Sequence, residues 1–409
     1  METLTYDDPL TGCRGYLVYD DRQCRLAAGG CRVQVGLTLQ TLAELATRMT
    51  LKQRVLGLNV DGAKCGLDYD PTAADAPAVV QRFVGFLRSE LTTRFSMGCD
   101  MGTRFDQLQL MARAVGIPSI KYAVRAAQEL TDDDFGRRMR ILDAVIGGQS
   151  VSERRAGHAL AHASLAAVTE GGFRAPGLRV GLQGFGNLGR SAALSLVESG
   201  ARVVAIADEF GCIASRDGFD IVRLLEAERS QPVSTMAEAA QCRPGPELIG
   251  LDVDVLVLAG GVNDLTDEQL AAVQAPVVVV GANCGLSGVT ERGLEDRGVV
   301  VIPDFVGGAG GSASMEALFG PEHPPTPEDL LFHIAALTTE LTSDVITAAR
   351  NRGVSSSQVA RDIAAAALVS TGERPYGRSP YAIRGHAPRG RRGRTGMVAG
   401  RATTQGGIA

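Results

Sequence analysis

With 409 residues, 45% of them apolar and 21% charged, the chain is too long for one hydrophobic core and too apolar to be disordered throughout, so two domains are expected. A net charge of −5 argues against a general basic field for nucleic acid, and no apolar run approaches the ~18 residues of a membrane span. Residues 1–8 are acidic where a secretion signal would be basic and then apolar, and eight scattered cysteines without a CxxC pair read as reduced thiols; a soluble, cytoplasmic protein is expected.

Segments 13–19 and 24–35 read as strands, and 37–55 has helical apolar spacing with Thr38 as N-cap. Further helices are expected over 72–90, 105–115 and 132–145, the last opening on acids suited to a helix dipole. Gly147-Gly148 marks a break. Short β-rich runs then recur at 203–207, 253–258, 277–280 and 299–302, separated by helical stretches, which predicts a doubly wound parallel sheet. Long helices are expected over 327–350 and 357–370. Beyond 372 the sequence turns rich in Gly, Pro and Arg, including Arg389, Arg391, Arg392 and Arg394, and reads as a disordered, solvated basic tail.

The run from Arg179 ends in Gly184-Phe185-Gly186-Asn187-Leu188-Gly189. This GxGxxG follows a predicted strand and opens a helix, and a second strand ends on Asp208, about 24 residues after Gly184. Strand, fingerprint, helix, strand and acid in that order point to a dinucleotide: the glycines permit a tight turn, approach of the pyrophosphate and close helix packing, while the acid meets a ribose 2′-hydroxyl. Asp208 and Glu209 would repel a 2′-phosphate, so NAD is expected, with Arg202 and Arg216 leaving NADP open as the lesser choice.

In the first half, Lys52 and Lys64 stand among small residues, and Asp100 follows a probable strand. A partly buried lysine can serve as a base, although a surface charge is the ordinary reading for each lysine and a turn or helix cap for the aspartate. His158 and His162 share a helical face without a third ligand, so packing is expected and no metal site.

Taken together, Gly29-Gly30-Cys31-Arg32, Met49-Thr50-Leu51-Lys52, Gly62-Ala63-Lys64-Cys65-Gly66, Asp100-Met101-Gly102-Thr103, Gln183 to Gly189, Gly281-Ala282-Asn283, Ile302-Pro303-Asp304 and Ala309-Gly310-Gly311 resemble the glutamate/leucine/phenylalanine/valine dehydrogenase family from residue 12 to about 370. The resemblance implies an α/β substrate and oligomerisation domain (1–150), a Rossmann-type dinucleotide domain (151–325) and C-terminal helices (326–371) that return to the first domain, ahead of the tail (372–409). It implies reversible oxidative deamination of an L-amino acid to a 2-oxo acid and ammonia with NAD(P), in a homo-oligomer. By the same resemblance Lys52 binds the α-carboxylate, with Gly29 and Gly30 beside it; Lys64 activates water; and Asp100 moves protons at the amino nitrogen. The cofactor set is the fingerprint, Asp208, Ala259, Gly260 and Asn283.

Glutamate-specific members carry a lysine before the first motif and a serine four residues after Ala-Gly-Gly; here these positions are Ala28 and Met315. An unpartnered buried carboxylate is costly, so an apolar or aromatic side chain is expected, with glutamate as the alternative if Lys121 or Arg54 supplies a shifted cation. Asp61, three residues before Lys64, is expected to hold that lysine protonated. Ala156 stands where the family offers a hydroxyl to the nicotinamide, for which Ser150 or Ser152 could substitute if they are not helix caps. A catalytically weakened, NAD-binding regulatory protein is the further alternative.

Overall fold

A computed structural model describes residues 1–172, 177–228, 231–238, 241–261 and 264–381. Strands β1 (Glu2–Asp7), β2 (Arg14–Tyr19), β3 (Ala27–Val33), β4 (Asp61–Leu67) and β5 (Phe95–Cys99) form one sheet in the order β1-β2-β4-β3-β5. β3 lies parallel to both β4 and β5, so the chain must cross over between them; β1, β2 and β4 run antiparallel. The first crossover is the helix Leu39–Val55, capped as expected by Thr38, whose hydroxyl accepts the Thr41 amide. The second is two helices, Ala76–Phe86 and Arg88–Thr93, where one was expected over 72–90; the turn at Leu87 brings both Leu87 and Leu91 fully into the core. β1 has no strong sequence signal because it is an edge strand in which only Tyr6 is buried.

A two-residue hairpin, β6 (Val145–Ile146) and β7 (Gln149–Ser150), leads into the helix Val151–Glu170. Ser150 and Glu153 close a capping box there, so Ser150 is a cap. The second sheet comprises β8 (Arg179–Gln183), β9 (Arg202–Asp208), β10 (Gly211–Ala214), β11 (Cys242–Arg243), β12 (Val255–Leu258), β13 (Val277–Val280) and β14 (Val300–Ile302), ordered β11-β10-β9-β8-β12-β13-β14. It is parallel from β9 to β14, and its strands are nearly all apolar because helices cover both faces. The chain reverses its direction of travel between β8 and β12, and ligands bind at such a switch point, beyond the carboxyl ends of the strands.

The helix Pro327–Arg352 packs along Val151–Glu170, at the start of the dinucleotide half, and Ser356–Ala366 packs on Leu39–Val55 of the first half. Residues 372–381 correct the expected start of the tail: Tyr376 and Tyr381 are buried, Gln128 bonds the backbone of Tyr376, and Ser379 donates to the Leu56 carbonyl. Two aromatic anchors and the buried Glu316 carboxylate, which accepts the Gly377 and Ser379 amides, dock this Gly- and Arg-rich stretch. The tail expectation for 382–409 lies outside the described residues. Among the described residues, no helix is long and apolar enough to cross a membrane, and no cluster of potential ligands suits a metal ion.

Candidate active site

A cavity of about 760 Å³ is lined by residues of both the first sheet's half and the second sheet's half of the chain. Along β4, side chains alternate, so Lys64 faces the cavity while Asp61 and Cys65 face away. Lys64 is buried in an ion pair with Asp100, whose carboxylate also meets the Arg32 guanidinium through two contacts of 3.3 Å. Burial alone would raise the Asp100 acid, but Lys64, Arg32 and the Met101 amide overcome it and hold the group at about 2, firmly ionised. Thr103 accepts the Asp100 amide and donates to the Cys31 carbonyl, fixing the turn that carries Asp100. Arg32, two residues beyond Gly30 on the same face of β3, belongs to this cluster although its place in the Gly29-Gly30-Cys31-Arg32 run gives no local sign of it.

Glycines at 29 and 30 make room for that cluster. A Cβ on Gly29 would fall 1.6 Å from the Ala63 carbonyl oxygen, and one on Gly30 would fall 3.1 Å from the Asp100 Cβ. Lys52, in the last turn of its helix, is buried and lowered to about 8, by desolvation first and by the charge of Lys64, against the opposing pull of Asp304. Its ammonium donates to Asn283 Oδ1 at 2.6 Å, in the loop after β13. Arg48, one turn earlier, donates one guanidinium nitrogen to both carboxylate oxygens of Asp304, at 2.8 and 2.9 Å, and Asp304 also accepts the Cys284 amide. These contacts tie the first domain to the second at the floor of the cavity.

The opposite wall is the fingerprint. Gly184 has φ +94°, which favours glycine, and a Cβ there would strike Gly260 at 2.5 Å. A Cβ on Gly189 would fall 1.9 Å from the Gly184 carbonyl oxygen, so the helix seats tightly on β8. Nothing lies within 4 Å of the corresponding point on Gly186, the N-cap of the helix Asn187–Glu198. A turn, an open approach and a close packing contact are what a pyrophosphate cradle requires, and the described chain fits a dinucleotide. Gly186, Asn187, Leu188, Ala259, Gly260 and Asn283 line the cavity; Phe185 is buried beneath the Arg190 guanidinium instead. Asp208 stands at the end of β9, with its carboxylate accepting the amides of Phe210, Gly211 and Val233.

Models of the Glu/Leu/Phe/Val dehydrogenase dimerisation domain and of the glutamate/leucine/phenylalanine/valine dehydrogenase body match residues 3–116 and 147–370. The chain belongs to that family. It is 31% identical over 310 residues to glutamate dehydrogenase B of Halobacterium salinarum, covering 75% of this chain and 69% of the relative. It is 30% identical over 306 residues to the NADP(+)-dependent glutamate dehydrogenase of Pyrobaculum calidifontis, covering 73% and 70%. The crystal structure of the hetero-hexameric glutamate dehydrogenase of Thermus thermophilus in its leucine-bound form superposes with a TM-score of 0.73 at 26% identity, covering 89% of this chain and 86% of that one.

In this dehydrogenase the expectation for Asp61 is corrected. Its side chain lies on the far face of β4, paired with Arg54 at 2.8 Å and accepting the Cys24 amide at 2.7 Å, so it does not contact Lys64. The same pair removes Arg54 from consideration as a shifted cation. His158 bonds Ser195 and the Leu331 carbonyl, with its ring against His162, in the packing role expected. Ala28 and Met315 do line the cavity, joined there by Lys121, Arg155, Ser312 and Tyr376. Ser314, adjacent to Met315, accepts a hydrogen bond from Arg155 at 3.1 Å. Motif comparison at fixed positions passes over Arg155 and Ser314, since they gain meaning only when two helices distant in sequence are brought together.

Proposed function

We propose that the chain catalyses NAD-dependent, reversible oxidative deamination of an L-amino acid to its 2-oxo acid and ammonia, in the cleft between a substrate domain (1–150) and a dinucleotide domain (151–325). The observation that carries this reading is the convergence of Lys52, Lys64 and Asp100 on one cavity whose other wall is the open side of the glycine cradle. Lys52 binds the α-carboxylate. Lys64 steadies charge on the carbinolamine oxygen and activates water, and Asp100, ionised at rest, takes and returns protons at the amino nitrogen. Nicotinamide, when bound, supplies the hydride acceptor. Closure of the two domains around the substrate excludes water and aligns the reacting carbon with that acceptor.

NAD is favoured over NADP by the carboxylates of Asp208 and Glu209, which disfavour a 2′-phosphate. Assembly through the first domain into a homo-oligomer in the cytoplasm accords with the family and with the free thiols of the described cysteines. Two readings of the substrate side chain exist. Ala28 and Met315 alone favour an apolar or aromatic group, whereas the buried cations Lys121 and Arg155 favour an anionic one, and we adopt the second, glutamate-like class. The alternative of a regulatory protein with weakened catalysis loses one support, because Asp61 is engaged elsewhere. NADH oxidation with ammonia across a panel of acidic, branched and aromatic 2-oxo acids tests the reading; binding of NADH with no turnover of any member would overturn it.

A further inference from the structure

Lys121 belongs to a segment that docks beside β5. The Met97 amide donates to the Ile120 carbonyl at 2.9 Å, Gln109 accepts from both the Ser119 hydroxyl and the Ile120 amide, and the Lys121 amide donates to the Ser119 hydroxyl. The backbone that carries this lysine is thereby fixed. Its side chain extends over Gly98, where a Cβ would lie 3.9 Å from the ammonium. Gly98 pairs with Gly30, one strand across and two residues along from Ala28. The cation absent at position 28 therefore has a counterpart over the adjacent strand, in space left free by Gly98.

This ammonium is only 5% exposed, yet among the described residues it meets no carboxylate, carbonyl or hydroxyl within hydrogen-bond reach. Arg155, 6% exposed, lies beside it, stacked on Phe105 and bonded to the Ser314 hydroxyl and, at 3.4 Å, the Ser152 carbonyl. Neither cation has an acidic partner. Of the acids that line the cavity, Asp100 pairs with Lys64 and Arg32, Asp106 with Arg104, and Glu153 serves the Ser150 cap, while Asp143 forms no ion pair with either cation. Burial, and then the charge of Arg155, lowers Lys121 to about 7. Two desolvated like charges without a counterion are unfavourable, and an incoming anion relieves both penalties together.

We propose that Lys121, backed by Arg155, is the receptor for a terminal carboxylate on the substrate side chain, with Ala28 and Met315 walling the methylenes between that carboxylate and the reacting carbon. The assignment rests on the dehydrogenase reading and adds to it the group that sets specificity. An anion held by a buried charge-assisted pair is discriminated from its uncharged analogue more strongly than one methylene is from two.

The test compares 2-oxoglutarate with 2-oxopentanoate, and 2-oxoadipate with 2-oxohexanoate, in NADH-dependent amination by the full chain. The wild type should prefer the better dicarboxylate over its neutral partner by at least ~100-fold in kcat/KM. Lys121→Met should reduce that ratio to within ~10-fold, mainly through KM, and Lys121→Arg should restore most of it. Retained NADH binding serves as the control for folding; Lys121→Gln replaces the methionine variant if that control fails. A wild type that prefers the neutral partners, or a Lys121→Met variant with an unchanged ratio, would overturn the proposal. Should no 2-oxo acid turn over, the dehydrogenase reading fails separately, and calorimetric binding of the same pairs to the NADH-loaded protein decides the receptor: dicarboxylate preference lost in Lys121→Met supports it, and equal binding refutes it.

Discussion

Lys52 Nζ donates to Asn283 Oδ1 at 2.6 Å, so the residue assigned to the substrate carboxylate is bonded to the dinucleotide domain. Substrate must share or replace that contact, which couples its binding to the position of the loop after β13. Lys52→Met should raise the KM for the 2-oxo acid by ~10–100-fold, the scale of one charged hydrogen bond. Asn283→Ala should weaken both substrate and NADH. Because the two side chains touch, the double variant should lose less than the sum of the single losses, measured as a cycle in kcat/KM.

Lys64 and Asp100 form a buried ion pair, and Lys64 first, then Arg32, keep the carboxylate charged against its burial. Lys64→Ala should lower kcat by at least ~10³-fold, the scale of a lost acid–base group with its electrostatic contribution, while NADH binding titrated by fluorescence stays close to wild type. A variant that keeps a tenth of the wild-type kcat would remove Lys64 from the chemistry.

Most of the candidate site is legible in the sequence because its residues lie in short segments whose meaning is local. Lys64 sits two positions from Gly62 and Gly66 on a strand, and the GxGxxG run defines its own turn. The failures share one cause, that partners distant in sequence decide a side chain's role. Asp61 looked close to Lys64 by number, but strand alternation turns it to the other face, where Arg54 waits. Tyr376 sits in a stretch with a tail's composition, yet its ring stacks on Phe319 and its backbone bonds Gln128. Arg155 carries no motif, and its relation to Ser314 exists only in the fold.

With 2-oxo acids of uncharged side chain, which do not engage Lys121, the pH dependence of substrate binding follows from Lys52. Held at about 8 by burial, it is cationic below that pH and loses its charge as pH rises through it. Capture of the α-carboxylate should therefore weaken on the alkaline side of about 8, seen as a rise in KM for the 2-oxo acid. Lys52→Arg should move the alkaline limb upward, since a guanidinium stays charged throughout that range. An unmoved limb would assign it to another group.

Acid stability should be governed in part by His158 and His162. Desolvation first, joined at His158 by the charges of His162 and Arg154 and at His162 by that of Arg154, lowers them to about 3 and about 4. The unfolded chain protonates each near 6.5, so between that pH and about 4 it binds more protons than the folded state. Their contribution to stability is thus present above pH 6.5 and is lost as pH falls. Tm should decline through this window, and His162→Gln should flatten the decline; an equal slope in wild type and variant would show that His162 takes up protons alike in the folded and unfolded states.

Asp208 offers a sharper view of cofactor choice. Three backbone amides occupy its carboxylate, which leaves roughly one of its four acceptor positions for a ribose hydroxyl. Asp208→Ala should consequently act twice: it frees the turn at 210–211 and the segment at 233, and it removes the acceptor and negative charge that favour NADH. The first effect should lower Tm by about 5 °C, the scale of a few lost hydrogen bonds in a domain of this size. The second should narrow the NADH-over-NADPH ratio in kcat/KM by ~10-fold, whereas Glu209→Ala, changing an exposed side chain, should narrow it without the fall in Tm. A fall in Tm with an unchanged ratio for Asp208→Ala would make this carboxylate a turn anchor alone and leave dinucleotide selection to Glu209 and the surrounding loop.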